Sequence, residues 1–302
     1  MRVLGLDVGG TRIKAGIVDP DGRLLDSEIV DTRASEGRDR VLKSMESLIS
    51  RAIEKHRIRA VGMAVASPMD PERGILYYPP NLPGFGLFDL GSYMRERISV
   101  PVVFENDANA YVLGEWWKGA GTGARVLLGI TLGTGIGGGL VVDGRVWHGA
   151  HGLGAEFGHI VVLPDGPECN CGNRGCFEAV ASSRFLMELY ERLSGERLTP
   201  AGIAERAKRD DAAAVQAFSL LAKNVAIGLA SLTNALDPDV VVVGGGLVNA
   251  GVVLTKKIEM HFYPLLLPGL RDRVRLEFAK LGDFAAVYGA AYLAIKTVGG
   301  DR

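Results

Sequence analysis

Two glycine-rich segments of the chain, one at its start and one near its middle, share almost the same pattern. They are GLDVGGTRIKAGIVD, which begins at residue 5, and GITLGTGIGGGLVVD, which begins at residue 129, and they align without a gap. Each predicts a strand, a glycine turn and a second strand, because aliphatic runs are bounded by glycine and Asp-Gly. Chance similarity of two glycine hairpins is the alternative. The favoured interpretation is a duplicated hairpin that opens each of two related domains.

The segments that follow each hairpin alternate between helix and strand patterns. Apolar residues recur at helical spacing over 37–55, and further helices are predicted over 182–193, 212–236 and 285–298. Such alternation is typical of an α/β architecture with mixed sheets. No low-complexity linker separates the halves, so we place a hinge near 117–123. We expect a small N-terminal domain over 1–117, a larger domain over 118–284, and a C-terminal helix over 285–302 that packs back on the first domain.

Charge and composition argue against several classes of protein. Lys plus Arg (34) nearly equals Asp plus Glu (35), so no long-range field points to a nucleic acid or an anionic membrane. Hydrophobic residues make up 47% of the chain, which is enough for an ordinary globular core. We find no signal-peptide pattern and no uninterrupted apolar run long enough to span a bilayer. We therefore expect a cytoplasmic protein that binds neither nucleic acid nor membrane.

Three glycine turns, each at the end of an aliphatic strand, predict a nucleotide site. The turns are DVGGT at 7–11, LGTG at 132–135 and VGGGL at 243–247. Backbone amides in such turns approach phosphate oxygens closely, since no Cβ intervenes, and threonine hydroxyls add donors. Taken singly, each is more often a plain tight turn, and none is a Walker A loop or a convincing Rossmann fingerprint. Asp7, beside the first turn, either holds Mg²⁺ against the phosphates or caps turn amides.

A polar run, ENDANA at 105–110, follows another short predicted strand. It delivers Asn106 and Asp107 into the start of a helix, so their side chains emerge at a sheet edge, where open α/β folds bind ligands. Asp107 suits a general base. The alternative is that the Asn-Asp pair only caps the helix.

Together these motifs resemble the ROK family of bacterial and archaeal sugar kinases and related repressors. The resemblance rests on LDVGGT, PNLPG, ENDANA, TLGTGIGGG, GAEFGH, CNCGNRGC and VVVGGG, which follow the family's order over nearly the whole chain. It implies the two-domain, actin-like ATPase fold of the hexokinase and ribonuclease H-like type, with duplicated mixed sheets and an interdomain cleft. It also implies an ATP-dependent kinase for the 6-hydroxyl of a hexose, with glucose as the first expectation.

The resemblance also implies roles for individual residues. It makes Asp107 the base that takes the proton from the 6-hydroxyl as this group attacks the γ-phosphorus of ATP. The implied sugar ligands are Asn81, Asn106, Asp107, Glu156, His159 and Glu178. The residues implied for ATP and its Mg²⁺ are Asp7, Gly9, Gly10, Thr11, Arg12, Gly133, Thr134, Gly135, Gly244, Gly245 and Gly246.

All three cysteines of the chain lie within ECNCGNRGCFEA, at 168–179. Three thiols cannot pair completely, and a tight cluster favours metal binding or redox chemistry over a disulfide framework. With His159 upstream, Cys169, Cys171 and Cys176 offer three thiolates and one imidazole, the composition of a closed structural Zn²⁺ site. The polar neighbours argue against plain buried thiols. The resemblance implies the same zinc site, since many ROK kinases carry it.

Two features separate this chain from parts of that family. Ala66-Ser67 stands where many family glucokinases carry Pro-Gly, so N-acetylglucosamine, N-acetylmannosamine, mannose and fructose stay open as substrates. The predicted first strand starts at Val3, and we expect no preceding DNA-binding segment of the repressor type. A non-catalytic sugar sensor is the remaining alternative, and the complete ENDAN motif argues against it. Family habit implies a homodimer or homotetramer, while the phosphoryl donor could also be polyphosphate or ADP.

Overall fold

The computed structural model describes residues 1–299, which form two compact units. The first unit contains residues 1–123, 144–155 and the described part of the chain from 280 onwards. The second unit contains residues 124–143 and 156–279. The domain limits stated above stay a prediction, and they differ from these units chiefly at 144–155, which the sequence pattern assigns to the second domain.

The helices and strands follow the predicted alternation along the chain. The strands are β1 (Val3–Val8), β2 (Arg12–Val18), β3 (Leu24–Asp31), β4 (Val61–Val65), β5 (Met69–Asp70), β6 (Ile75–Tyr77), β7 (Leu87–Asp89), β8 (Val102–Asn106), β9 (Val126–Leu132), β10 (Ile136–Val142), β11 (Arg145–Val146), β12 (Val240–Gly244) and β13 (Arg275–Phe278). The α-helices are α1 (Arg38–His56), α2 (Leu90–Arg97), α3 (Asp107–Lys118), α4 (Phe177–Ala181), α5 (Ser183–Ser194), α6 (Pro200–Ala207), α7 (Ala212–Leu236), α8 (Val252–Phe262) and α9 (Ala285–Gly299).

The first unit is built on a mixed five-stranded sheet with the order β3-β2-β1-β4-β8. The hairpin strands β1, β2 and β3 pair antiparallel, whereas β1, β4 and β8 run parallel. Residues of α1 and the sheet share one apolar core, which includes Leu6, Met45 and Met63. The last helix, α9, packs against β1, β4 and α3. A small antiparallel sheet of β5, β6 and β7 completes this unit.

Close backbone contact explains the small residues of α9 and the sheet beneath it. A Cβ at Gly62 of β4 would clash with the Ala290 carbonyl group, and a Cβ at Gly289 would clash with the Ala110 carbonyl group. Both obstacles are backbone atoms, which cannot rotate away as a side chain can. The small-residue pattern of α9 therefore serves packing at both β4 and α3.

The second unit repeats the arrangement of the first. Its strands β10, β9, β12 and β13 are neighbours in that order. β9 pairs antiparallel with β10 and parallel with β12, which pairs parallel with β13. In both units a glycine hairpin is therefore extended by a parallel neighbour of its first strand. This confirms the predicted α/β fold class with duplicated mixed sheets.

One helix of the second unit, α7, is long and apolar enough to span a membrane by length and composition alone. Half of its most apolar window is buried inside the protein, and the helix packs against α4, α5, α6 and α8. Helices that are buried at the centre of a globular domain are also apolar on most of their surface. The helix is not the uninterrupted apolar run that the sequence was searched for, because polar residues and one charged residue, Lys223, lie within it.

Candidate active site

Three parallel strands of the first unit end at the same edge of its sheet. Val8 at the end of β1 pairs in register with Val65 of β4, and Val65 pairs with Asn106 of β8. The turn that begins at Gly9 and the helix that begins at Asp107 therefore emerge from the same edge. The carboxyl ends of parallel strands are where open α/β sheets bind ligands, and the ENDANA motif is predicted to lie at such an edge.

Asp107 opens α3 and is oriented by the residue before it. Nδ2 of Asn106 donates to Oδ1 of Asp107 at 3.1 Å and to the Ser67 carbonyl oxygen at 3.1 Å. Oδ1 of Asn106 accepts from the backbone N–H groups of Ala108 and Asn109, at 2.9 and 3.1 Å. The helix cap is therefore Asn106. Its two amide protons and two lone pairs are all used within the protein, so its side chain holds Asp107 in place.

Asp7 lies at the end of β1 and forms an ion pair with Lys14. Nζ of Lys14 is 3.1 Å from Oδ2 of Asp7, and neither side chain is more than a quarter exposed. Burial raises the pKa of Asp7 above its usual value, although Lys14 opposes the change. A carboxylate whose charged form is disfavoured by burial gains from a further cation. The position is therefore suited to Mg²⁺, which prefers oxygen ligands.

The loop that carries Asn81 lies against the first glycine turn. A Cβ added to Gly10 would lie 2.6 Å from the backbone oxygen of Asn81 and 2.8 Å from its Cβ. The turn itself is closed by the Gly9 N–H group, which donates to the Arg12 carbonyl oxygen at 3.1 Å. The hydroxyl of Thr32 donates to the Gly9 carbonyl oxygen at 2.7 Å. The structure thus brings the predicted sugar ligand Asn81 next to a predicted phosphate turn, where Thr11 and Arg12 are exposed.

The other two glycine turns meet in the second unit. β9 ends at Leu132 and its parallel neighbour β12 ends at Gly244. Gly245 has a φ of 88° and contacts the Leu132 backbone, so that a Cβ there would lie 2.6 Å from the Leu132 nitrogen. Both the conformation and the contact require glycine. The turns at 133–135 and 244–246 therefore lie at one edge of this sheet.

Glu178, at the start of α4, is joined to the first of these two turns. Its Oε2 accepts from the backbone N–H group of Ile136 at 2.9 Å, and a Cβ at Gly135 would clash with the same oxygen. The Ser183 N–H group donates to the Gly133 carbonyl oxygen at 2.8 Å. A predicted sugar ligand and a predicted phosphate turn are therefore in direct contact within the second unit.

Three predicted sugar ligands, Glu156, His159 and Glu178, lie close enough together for His159 and Glu178 to affect the pKa of Glu156. Desolvation raises the pKa of Glu156 although the residue as a whole is exposed; His159 opposes this change and Glu178 adds to it. Two carboxylates near each other disfavour simultaneous ionisation, so the charge of Glu178 adds to the effect of desolvation on Glu156. Together the three side chains offer both donors and acceptors, the combination that hydroxyl groups bind.

His159 and the three cysteines form a compact group of four metal-ligand atoms. One nitrogen of His159 and the three Sγ atoms lie within 4.8 Å of one another. Nδ1 of His159 is 3.7 Å from Sγ of Cys169, and Sγ of Cys171 is 3.6 Å from Sγ of Cys176. A tetrahedron with Zn–S bonds of about 2.3 Å has edges of about 3.8 Å, so the group fits Zn²⁺. Without a metal, burial raises the pKa of the Cys176 thiol to about 12.

No sequence-based prediction assigns a role to two buried acids of the first unit, Glu105 and Glu115. Glu105 pairs with His148, 43 residues away, with 2.7 Å between Oε2 and Nε2. Glu115 accepts from backbone N–H groups of Ala120, Lys280 and Leu281. Each acid sits in an otherwise ordinary strand or helix pattern. Because their partners are remote in sequence, only the tertiary structure reveals them.

The chain matches known proteins over almost its whole length. A model of the ROK family matches residues 3–297. A glucokinase of Thermotoga maritima is 33% identical, with 99% of both proteins covered. The structure is similar to that of a ROK hexokinase from Thermus thermophilus, with a TM-score of 0.90, 37% identity and 100% of both chains covered. It is also similar to a ROK family glucokinase from Streptomyces griseus in complex with glucose and AMPPNP, with a TM-score of 0.85, 34% identity, and 98% of this chain and 100% of that chain covered.

Proposed function

This chain belongs to the ROK family, and we propose that it is an ATP-dependent hexose kinase that phosphorylates the 6-hydroxyl group of glucose. One observation carries the proposal. Asp107 stands at the carboxyl end of β8, and one of its carboxylate oxygens is fixed by the amide of Asn106. A relative that binds glucose and AMPPNP supports a sugar and ATP as the two substrates.

In the proposed reaction Asp107 accepts the proton of the sugar hydroxyl. The hydroxyl oxygen attacks the γ-phosphorus of ATP, the new O–P bond forms as the bond to the β,γ-bridging oxygen breaks, and ADP leaves. Such transfers depend on in-line positioning and on neutralisation of charge more than on covalent chemistry. A well-placed base contributes about 10²- to 10⁴-fold to the rate.

The three glycine turns are the proposed binding elements for ATP. In such turns a phosphate oxygen can approach backbone N–H groups closely because no Cβ intervenes. The N–H groups of Gly9 and Gly133 already donate within their own turns, so the remaining N–H groups are the proposed donors. Mg²⁺ bound with ATP neutralises phosphate charge, and Asp7 is the residue that would hold it, directly or through water. Burial of Asp7 favours this role, because a second cation beside Lys14 stabilises its charged form.

The proposed sugar ligands are Glu156, His159 and Glu178, with Asn81 as an addition. A site built from such groups rejects analogues that lack a hydroxyl, by about 10⁴- to 10⁵-fold in well-studied cases. We assign Asn106 a different task from the predicted sugar contact. Because all of its hydrogen-bonding groups are used within the protein, it orients Asp107.

We also propose one structural Zn²⁺ on His159, Cys169, Cys171 and Cys176. The ligand spacing in the sequence supports it, as does the position of the four ligand atoms within 4.8 Å of one another. Zinc on Nδ1 of His159 would leave the Nε2–H group to donate to a sugar hydroxyl, so that the metal fixes the tautomer. Since Glu178 follows soon after Cys176, the same metal would also hold the start of α4.

A kinase for another hexose is the second candidate. The carbonyl oxygen of Ser67 accepts from Asn106, so the Ala66-Ser67 segment, which differs from many family glucokinases, contacts the residue that orients the base. A change at this segment can therefore alter which sugar hydroxyl reaches Asp107.

The test is release of ADP by purified protein with ATP and Mg²⁺ over a panel of sugars. We expect the highest kcat/KM for glucose, with glucose 6-phosphate identified by phosphorus NMR. A higher kcat/KM for N-acetylglucosamine, N-acetylmannosamine, mannose or fructose would reassign the substrate. Sugar binding by calorimetry without turnover of any sugar would contradict a kinase and favour a sensor.

A further inference from the structure

Glu105 and His148 form an ion pair at the strand end that carries the proposed base. Glu105 is 2% exposed and His148 about a third exposed, and Oε2 of Glu105 lies 2.7 Å from Nε2 of His148. Oε1 of Glu105 accepts from the Asn106 N–H group at 2.9 Å and from Nδ2 of Asn109 at 3.1 Å. Both carboxylate oxygens are therefore engaged at the junction of β8 and α3.

A carboxylate buried this deeply is costly unless a cation compensates it. The separation of 2.7 Å lies at the short end of the range for a charge-assisted hydrogen bond between nitrogen and a carboxylate. This hydrogen bond raises the pKa of His148, burial opposes the change, and the charges of Glu105 and Glu72 add to the increase. His148 therefore carries a positive charge at a pH where a solvated histidine has lost it.

The contacts of Glu105 lead to Asp107 in two steps. Glu105 fixes the backbone of Asn106 by accepting its N–H group and holds the first turn of α3 through Asn109. Asn106 then caps that helix and donates to Oδ1 of Asp107. A displacement of Glu105 would therefore move the carboxylate of Asp107 without any direct contact between His148 and the substrate.

We propose that His148 is a positioning residue for phosphoryl transfer, which as an imidazolium compensates the buried charge of Glu105 so that the β8–α3 junction holds Asp107 in its reactive orientation. This rests on the proposed function. As the pH rises through the pKa of His148, the imidazolium loses its proton and Glu105 loses its counter-charge. The rate constant kcat should therefore fall on the alkaline side, while the KM for ATP stays unchanged because the glycine turns are not part of these contacts.

Two substitutions of His148 separate its charge from its hydrogen bond. His148→Phe removes both, and we expect kcat to fall about 100-fold, the cost of a misplacement of about 1 Å. His148→Gln keeps a neutral donor, so it should retain more activity than His148→Phe and lose the alkaline fall in kcat. His151→Phe is the matched control, since His151 is exposed in the same segment, and it should keep the parent's kcat and pH profile.

The pKa of His148 can be measured without an activity assay. Titration of the His148 ring by NMR should show a pKa above that of a solvated histidine, and Glu105→Gln should lower it. If the pKa of His148 equals that of a solvated histidine and Glu105→Gln leaves it unchanged, the proposal is wrong. If His148→Phe does not fold, this titration and the kinetics of His148→Gln test the proposal in its place. A parent-like kcat in His148→Phe would overturn this role alone, whereas a parent that turns over no sugar would overturn the proposed function and this role with it.

Discussion

At the scale of single residues, Gly135, in a proposed ATP-binding turn, contacts Glu178, a proposed sugar ligand. A Cβ at position 135 would clash with Oε2 of Glu178, the oxygen that accepts from the Ile136 N–H group. We expect Gly135→Ala to push the Glu178 carboxylate away. Because a hydrogen bond to a charged group contributes about 1.5–3 kcal/mol, the KM for glucose should rise about tenfold or more.

The flexible end of Glu178 can move, so the free energy of unfolding of Gly135→Ala should fall by no more than the loss of the Ile136 hydrogen bond, about 1.5–3 kcal/mol. Steady-state kinetics with saturating ATP measures the KM, and urea denaturation measures the stability. Gly269→Ala is the control, because a Cβ at Gly269 meets no atom within 4 Å. An unchanged KM for glucose in Gly135→Ala would remove Glu178 from the sugar site.

The sequence predicts which residue types form the site, but it does not predict which residue is the base and which is the helix cap. The ENDANA motif predicts both a base and a helix cap for Asn106 and Asp107. The structure assigns the cap to Asn106, because its Oδ1 accepts the first free N–H groups of α3. The ion pair of Glu105 with His148 leaves no trace in the local pattern, since its two members meet only when distant segments fold together.

At the scale of elements, Glu115 ties the end of α3 to the segment that leads into α9. It is fully buried, and its carboxylate accepts from the N–H groups of Ala120, Lys280 and Leu281 at 2.8, 3.0 and 2.8 Å. Glu115→Ala leaves these donors without their acceptor, at about 1–3 kcal/mol for each buried one. We expect the free energy of unfolding to fall by at least about 3 kcal/mol.

Urea denaturation of the purified variant measures this loss. Glu96→Ala is the matched control on α2, where the carboxylate is 71% exposed, and it should change the stability by less than about 0.5 kcal/mol. A parent-like stability for Glu115→Ala would show that water replaces the carboxylate at the three donors.

The loop at 168–176 should depend on the proposed Zn²⁺. We expect protein purified without chelator to contain one zinc per chain, and Cys176→Ala to contain none. Loss of the metal frees His159 and loosens the approach to Glu178, so the KM for sugar should rise more than the KM for ATP. Elemental analysis and steady-state kinetics measure the two effects. A metal-free protein that stays folded and binds sugar normally would contradict this account.

Most long elements are predicted by their periodicity. The helix expected over 212–236 has those bounds, and α1 and α5 each begin and end within one residue of the prediction. The strands β5, β6 and β7 were not predicted, because runs of two or three residues show no measurable alternation. Their pairing is set by neighbouring strands and not by their own sequence.

At the scale of the whole molecule, the duplicated hairpin is the feature that predicts the fold. The two hairpins open two sheets of matching strand order, one in each unit. The assignment of 144–155 to the first unit was not predictable in the same way, because it depends on contacts such as that of His148 with Glu105. Local patterns predict repeated elements, whereas the unit that a short connection joins depends on its contacts with distant segments of the folded chain.

The most direct test of the account is the turnover of Asp107→Asn, which keeps the shape of the side chain and removes its ability to accept a proton. With glucose, ATP and Mg²⁺, we predict a kcat reduced about 10²- to 10⁴-fold, while calorimetry shows glucose and ATP bound nearly as tightly as by the parent. A kcat near that of the parent would contradict the assignment of Asp107 as the base.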